Sequence, residues 1–239
     1  RTRLPLSPPG ARSRTALGLV AAAAQGRFML QVCRACAKTI YPPRDACPGC
    51  FAPTPPFCDV PDGGKLLAVT TIRTSTDAYY RERMPWRVGT VQMDCGPSIV
   101  AHVHGDLAEG DRVTMSLKLD RSGQAAAFAL PVKETPAMAD DKQLREMTCD
   151  PKFRRALVTD GRTAVGQSCA KALSEAGCTI VFVGISDPWK PFPGEDSLRK
   201  IPNVEIVPLD LTNSESVNDL AADIGGRVDI IVNTSEHVR

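Results

Sequence analysis

Cys33-Arg34-Ala35-Cys36, ten intervening residues, then Cys47-Pro48-Gly49-Cys50 is the stretch that decides how the front of this chain folds. Two thiolates two residues apart grip one tetrahedral ion from a tight knuckle, and two such knuckles complete a four-thiolate shell. With Cys33, Cys36, Cys47 and Cys50 filling every position, no opening remains for water or substrate. The spacing therefore predicts a zinc that folds the segment and does not catalyse. A thiol redox pair and a coordinated iron are the alternatives, and the closed two-knuckle spacing favours zinc. The neighbouring residues need such a staple. Pro42, Pro43, Pro48, Pro53, Pro55, Pro56 and Pro61 stiffen a segment that has little apolar side chain to bury.

The whole chain has 239 residues, 43% hydrophobic and 23% charged, with a net charge of +2. That length favours two modest domains over one. The near-neutral balance gives no bulk attraction to nucleic acid or to an anionic membrane. No apolar run approaches the roughly 20 residues needed to cross a bilayer, so neither nucleic acid nor membrane is an expected partner. The chain starts at Arg1, which points to an upstream end that is missing or processed. Eight basic residues and no acid precede Asp45. Residues 16–24 (ALGLVAAAA) superficially resemble a secretion signal, but secretion would expose four clustered thiols to oxidation. A short Ala-rich helix ending near Gly26 is the better expectation. Five further cysteines (Cys58, Cys95, Cys149, Cys169, Cys178) bring the total to an odd nine, which suits free, packed thiols in a cytoplasmic setting.

The pattern divides the rest. An arm and short helix occupy 1–26 and the ribbon 27–61. Residues 62–131 read as five short strands, at 65–73, 88–94, 98–103, 112–120 and 125–130, separated by Gly- and Asp-rich turns. The run RVTMSLKLD is the clearest, with Val113, Met115, Leu117 and Leu119 on one face. Five such strands in about seventy residues predict a small OB-fold barrel. Residues 132–152 are polar and aperiodic, a linker by this reading. From 153 to 239 strands and helices alternate, with strands at 155–159, 179–183, 204–209 and 228–232. A helix follows the first of them, and a capping box of Thr212 and Glu215 opens a later one. Such alternation builds a parallel sheet covered on both faces. The fold class is thus multidomain: helix, zinc ribbon and β-barrel, then a partial Rossmann-like half-domain.

The stretch GRFMLQVCRAC at 26–36, with YPPRDACPGC at 41–50 and Gly63-Gly64 at the barrel entry, is similar to the acyl-CoA-associated zinc-ribbon/OB-fold family over residues 16–131. That resemblance implies an auxiliary, oligomeric subunit that sits beside a thiolase-fold enzyme or an aldolase. It also implies a share in holding an acyl-CoA thioester without a catalytic set of its own. Residues 73–87 (RTSTDAYYRERMPWR) are then the candidate acyl-CoA or partner site. Guanidinium groups of Arg81, Arg83 and Arg87 suit CoA phosphates, while Tyr79, Tyr80 and Trp86 suit adenine or a partner's pocket. A solvated loop is the alternative. His102 and His104, two apart, lack a third metal ligand and read as structural.

The first strand-to-helix turn of the second half, Thr159-Asp160-Gly161-Arg162-Thr163-Ala164-Val165-Gly166, resembles the Thr-Gly-x-x-x-Gly-Ile-Gly turn of short-chain dehydrogenases/reductases. Asp210-Leu211-Thr212 and Asp229-Ile230-Ile231-Val232-Asn233 extend the similarity. It implies an NAD(P) site touching Thr159, Gly161, Gly166, Asp210 and Asn233. Several residues depart from that family. Asp160 and Ala164 replace two glycines, and a carboxylate beside a pyrophosphate repels it. Gly184-Ile185 stands where an acid for the ribose is usual, and Asn233-Thr234-Ser235-Glu236 keeps one letter of four. That family's catalytic Ser and Tyr-x-x-x-Lys do not occur in the given residues. Two readings follow: a non-catalytic adaptor with a Rossmann-like assembly domain, or an NAD(P)-dependent reductase of acyl-CoA-type substrates whose ribbon and barrel recruit substrate.

Overall fold

The computed structural model describes residues 13–234. Residues 1–12 of the expected arm, and Ser235 and Glu236 of the fourth-strand motif, lie outside the described residues. The chain divides into two units, Arg1–Cys149 and Asp150–Arg239.

In the first unit a 3-10 turn leads into α1 (Leu17–Ala24), which Gly26 terminates with φ +66°. Leu19, Ala22 and Ala23 are buried against the barrel core. Gly18 is required by close approach, because a Cβ there would stand 2.1 Å from the Phe57 ring. The ribbon is a three-stranded antiparallel sheet with β1 (Met29–Val32) between β2 (Thr39–Ile40) and β3 (Phe57–Asp59). One buried amide ties it together. Gln31 accepts the Arg44 N–H at 2.7 Å and donates to the carbonyls of Arg44 and Pro55, each at 3.0 Å.

The barrel follows. Its elements are β4 (Gly63–Ile72), α2 (Ala78–Arg81), β5 (Trp86–Met93), β6 (Ser98–Val103), β7 (Arg112–Leu119) and β8 (Ala125–Pro131). The strands close in the order β4-β5-β6-β8-β7. Period-two alternation sorts their side chains. Leu66, Val91, Ile99, Val103, Val113, Met115 and Ala129 belong to one core with α1, while Trp86, Ala126 and Phe128 belong to a second.

That second core corrects the linker expectation for 132–152. Lys142–Met147 form α3, and Leu144 and Met147 are buried beside Trp86 and Phe128. Asp141 caps α3 by accepting the Leu144 N–H at 2.9 Å. Six residues provide a single i, i+3 apolar pair, too short a run to show a helical period. The segment is the outer cover of the barrel, and the boundary between units falls after it.

The second unit comprises β9 (Arg155–Val158), α4 (Ala164–Glu175), β10 (Ile180–Ile185), α5 (Glu195–Arg199), β11 (Val204–Pro208), α6 (Ser214–Asp223) and β12 (Ile230–Val232). All strand pairs are parallel, in the order β11-β10-β9-β12. The unbroken apolar run of β10 matches a strand covered on both faces. Val181, Val183 and Ile185 pack with Ala170 of α4 and Leu198 of α5, whereas Phe182 packs with Leu220 of α6. The cap of α6 differs from expectation. Asn213 accepts the Glu215 N–H at 2.9 Å, while the Thr212 hydroxyl turns back to Asp210 Oδ1 at 2.6 Å. Asn and Thr both suit a cap, and the bend at Asp210 takes the threonine away.

Candidate metal centre and ligand cleft

The two cysteine knuckles repeat one geometry. The Cys33 N–H donates to Lys38 O and the Ala37 N–H to Cys33 O; likewise Cys47 N–H donates to Ala52 O and Phe51 N–H to Cys47 O. Ala37 and Phe51, each just after a second cysteine, take left-handed φ values of 58° and 60°. The result brings Cys33 Sγ to 3.5 Å from Cys50 Sγ and Cys36 Sγ to 3.6 Å from Cys47 Sγ, with all four sulfurs within 4.8 Å of one another. Zinc–sulfur bonds of about 2.3 Å in a tetrahedron place sulfurs about 3.8 Å apart. The four thiols fit that ion.

Their electrostatics ask for it. Cys47 is pulled down to about 6, chiefly by the Gly49 N–H, 3.4 Å from its sulfur. At Cys50 the Ala52 N–H also pulls down, but the crowding sulfurs of Cys33 and Cys36 outweigh it and push the thiol up to about 12. Four thiols this close cannot all ionise unaided, and a dication stabilises all four thiolates together.

Of the candidate side chains at 73–87, Tyr79 and Trp86 are buried, Tyr80, Arg83 and Arg87 are partly buried, and Arg81 is exposed. Asp77 caps α2 by accepting the N–H groups of Tyr79 and Tyr80. Tyr79 is 2% exposed, and its hydroxyl donates to Glu146 O at 2.7 Å. Arg83 lies 4.0 Å over the Tyr79 ring and pairs with Glu146 at 3.1 Å. Trp86 is 1% exposed and donates from Nε1 to His102 Nδ1 at 2.9 Å. Arg87 donates to the carbonyls of His104 at 2.8 Å and Leu107 at 2.6 Å. These four side chains build the barrel's outer cover. Arg81, more than half exposed and 3.6 Å from Glu82, is the arginine of the three that faces solvent. His104 is buried, 3.7 Å from Asp141.

Burial pushes the Tyr79 phenol up to about 12 from an ordinary 10.0. The sign follows directly. Between those values the unfolded chain ionises this phenol while the folded state holds it neutral, so stability is full below pH 10 and falls as pH rises through that window. Melting curves from pH 9 to 12 should show this slope, and Tyr79→Phe should reduce it. An identical slope in the variant would assign the effect elsewhere.

Sequence reasoning missed a cleft of about 450 Å³ in the first unit. It is bounded by α1, the Tyr41-Pro42-Pro43 loop and the barrel's outer face, and Tyr80, Val100 and His102 line it. Val100 is 65% exposed on β6. A lone valine on the outward side of a strand has no signature in sequence, so this feature emerges only from the packing of three elements.

In the second unit the structure separates the expected cofactor residues into local roles. The Thr159 hydroxyl donates to Asn233 Oδ1 at 2.9 Å and accepts the Thr234 N–H at 3.0 Å. Asp210 Oδ1 accepts from the Thr212 N–H at 2.8 Å. Gly161 and Gly166 sit in the β9–α4 turn, where Asp160 Oδ1 accepts the Arg162 N–H at 2.8 Å. A carboxylate already bonded to the turn's own backbone does not fit the phosphates of NAD(P).

Residues 20–56 match the model of the ChsH2 rubredoxin-like zinc ribbon domain, and residues 58–118 match that of the ChsH2 C-terminal OB-fold domain. Over those residues the ribbon and most of the barrel are similar to the two ChsH2 domains. A solved Ltp2-ChsH2(DUF35) aldolase structure is similar, with TM-score 0.46 and 20% identity over 52% of this chain and 100% of that chain. A DUF35-family protein of unknown function from Sulfolobus solfataricus gives TM-score 0.35 and 14% identity, over 49% of this chain and 86% of that one. An uncharacterized oxidoreductase of Staphylococcus haemolyticus (strain JCSC1435) is 35% identical over 89 residues, or 36% of this chain. The chain spans 38% of the length of that curated relative. Among the described residues, no helix is long and apolar enough to cross a membrane.

Proposed function

We propose that the ChsH2-type unit is a non-catalytic module that docks on an aldolase or thiolase-fold partner and helps hold an acyl-CoA thioester, with residues 150–239 serving assembly. The consecutive ChsH2 ribbon and OB-fold matches over one continuous segment support this reading above any other observation. The cleft is the ligand position we assign within it. Its volume of about 450 Å³ lies in the range of small-molecule pockets. Its walls place the outward Val100 near Tyr80 and His102, so an acyl chain meets apolar surface there while aromatic edges orient it.

The expected result of Val100→Trp, which fills the cleft from a solvent-facing position, is at least about a tenfold loss of hexanoyl-CoA affinity, or ~1.4 kcal/mol. Calorimetry on the full chain measures it, with zinc content and melting temperature held as controls. Undiminished affinity in a folded, zinc-loaded variant would move the ligand out of the cleft.

The second reading is an NAD(P)-dependent oxidoreductase acting on acyl-CoA-type substrates. The 35% identity to an uncharacterized oxidoreductase favours it, as does the sheet order β11-β10-β9-β12, which is that of the first four strands of a doubly wound dinucleotide-binding sheet. Turnover of a hydroxyacyl-CoA with NAD(H) or NADP(H) by the full-length protein would replace the adaptor reading with this one.

A further inference from the structure

A dinucleotide on an open parallel sheet lies in the crevice beyond the carboxyl ends of the strands. Its pyrophosphate rests on N–H groups at a helix start, and its ribose sits near the tip of the neighbouring strand. Here that crevice lies past Val158 of β9 and Ile185 of β10. Side chains of the turn itself cross it. Asp160 brings an internal anion to the Arg162 N–H. The Arg162 guanidinium then reaches the segment after β10, donating from Nη2 to the carbonyl of Asp187 and, at 2.8 Å, to that of Lys190. It also lies 5.3 Å over the Phe192 ring. Gln167 adds a second tie, donating from Nε2 to the carbonyls of Gly161 at 3.1 Å and Pro193 at 2.9 Å.

The residues that look like remnants of a nucleotide site have independent reasons to be there. A Cβ on Gly166 would stand 1.8 Å from Asp160 O, and one on Gly161 would stand 2.3 Å from Val183 Cγ1. Thr159 and Asn233 bond each other, joining the ends of β9 and β12. The two glycines are thus required by the strand–helix junction, and the Thr159–Asn233 pair has a role between the strand ends, whether or not a nucleotide arrives.

We infer that this turn is closed from within: Asp160 takes the place of a ligand phosphate, Arg162 takes the ribose-side space, and Arg162 with Gln167 clasps residues 187–193 in place of binding a dinucleotide. This inference concerns the second unit alone and stands apart from the acyl-CoA reading of the first.

Calorimetric titration of the full chain with NADH and with NADPH is expected to show no saturable binding up to about 1 mM. The double variant D160G/R162S removes both occupants, and it is expected to bind one of the two at least about tenfold more tightly than that ceiling. Micromolar binding by the unaltered protein would overturn the inference, as would a folded double variant that binds no better. Chymotrypsin tests the clasp without a ligand. Trp189 is 74% exposed in the clasped segment, and cleavage after it should run about tenfold faster in Arg162→Ala with circular dichroism unchanged. Equal rates would remove Arg162 from the clasp.

Discussion

Cys47→Ser should unfold the ribbon, not merely loosen it. Cys47 is fully buried, and the apolar cluster around the knuckles amounts to Cys33, Ile40 and Cys47 with Ala52 at its edge. Burying one aliphatic side chain contributes about 1.5–3 kcal/mol. A structural zinc contributes on the order of 10 kcal/mol in small domains. The ion therefore dominates the stability of this segment, and no packing stands ready to replace it. A serine at the buried position also leaves a hydroxyl where a thiolate belonged, with the Gly49 N–H losing its sulfur acceptor. Elemental analysis should fall from one zinc per chain to near zero in the variant, and the ribbon's share of the melting transition should vanish. Addition of a strong chelator to the unaltered protein should reproduce that loss. One zinc per chain with unaltered melting in Cys47→Ser would exclude a four-cysteine site.

The parts of this fold that were legible in sequence are those encoded by short-range spacing. The knuckles announce themselves because two residues between cysteines is a geometric requirement of the ion. Strand β7 announces itself because Val113, Met115 and Leu117 alternate with polar neighbours, and all three are buried as that alternation demands. The Ala-rich helix ended by Gly26 belongs to the same class. What sequence did not disclose depends on contacts between distant segments. Tyr79, Arg83, Trp86 and Arg87 have the same composition whether they await a ligand or pack inward. Their partners are Glu146, His102 and the carbonyls of 104–107, up to 67 residues away. The clasp is similar. Arg162 and Lys190 lie 28 residues apart, and nothing at either position signals the other. A degraded turn could be read from Asp160, but not that its carboxylate fills the place it had vacated.

Trp86→Ala should be the most damaging single change outside the ribbon, and its outcome separates a structural role from a ligand-binding one. The indole is buried to 1% exposure in the outer core with Ala126, Phe128, Leu144 and Met147. Its ring stands edge-on to Tyr80 at 5.5 Å and to His102 at 5.8 Å, so it is the middle member of a run of aromatic contacts that extends to Phe128. Removing a buried Trp costs about 3–5 kcal/mol, through lost transfer energy and the cavity left behind. It also deprives His102 Nδ1 of its donor. Trp86→Phe keeps most of the packing and loses only that hydrogen bond, a net effect of about 1 kcal/mol plus the smaller ring's area. The two variants should therefore melt in the order Ala, Phe, unaltered, with one zinc retained in each, because the knuckles lie outside this core. If Trp86 instead stacked a ligand, Trp86→Ala would leave melting unchanged and lower affinity alone. That pattern in denaturant titration and calorimetry would return residues 73–87 to the binding site and make the outer core a coincidence of packing.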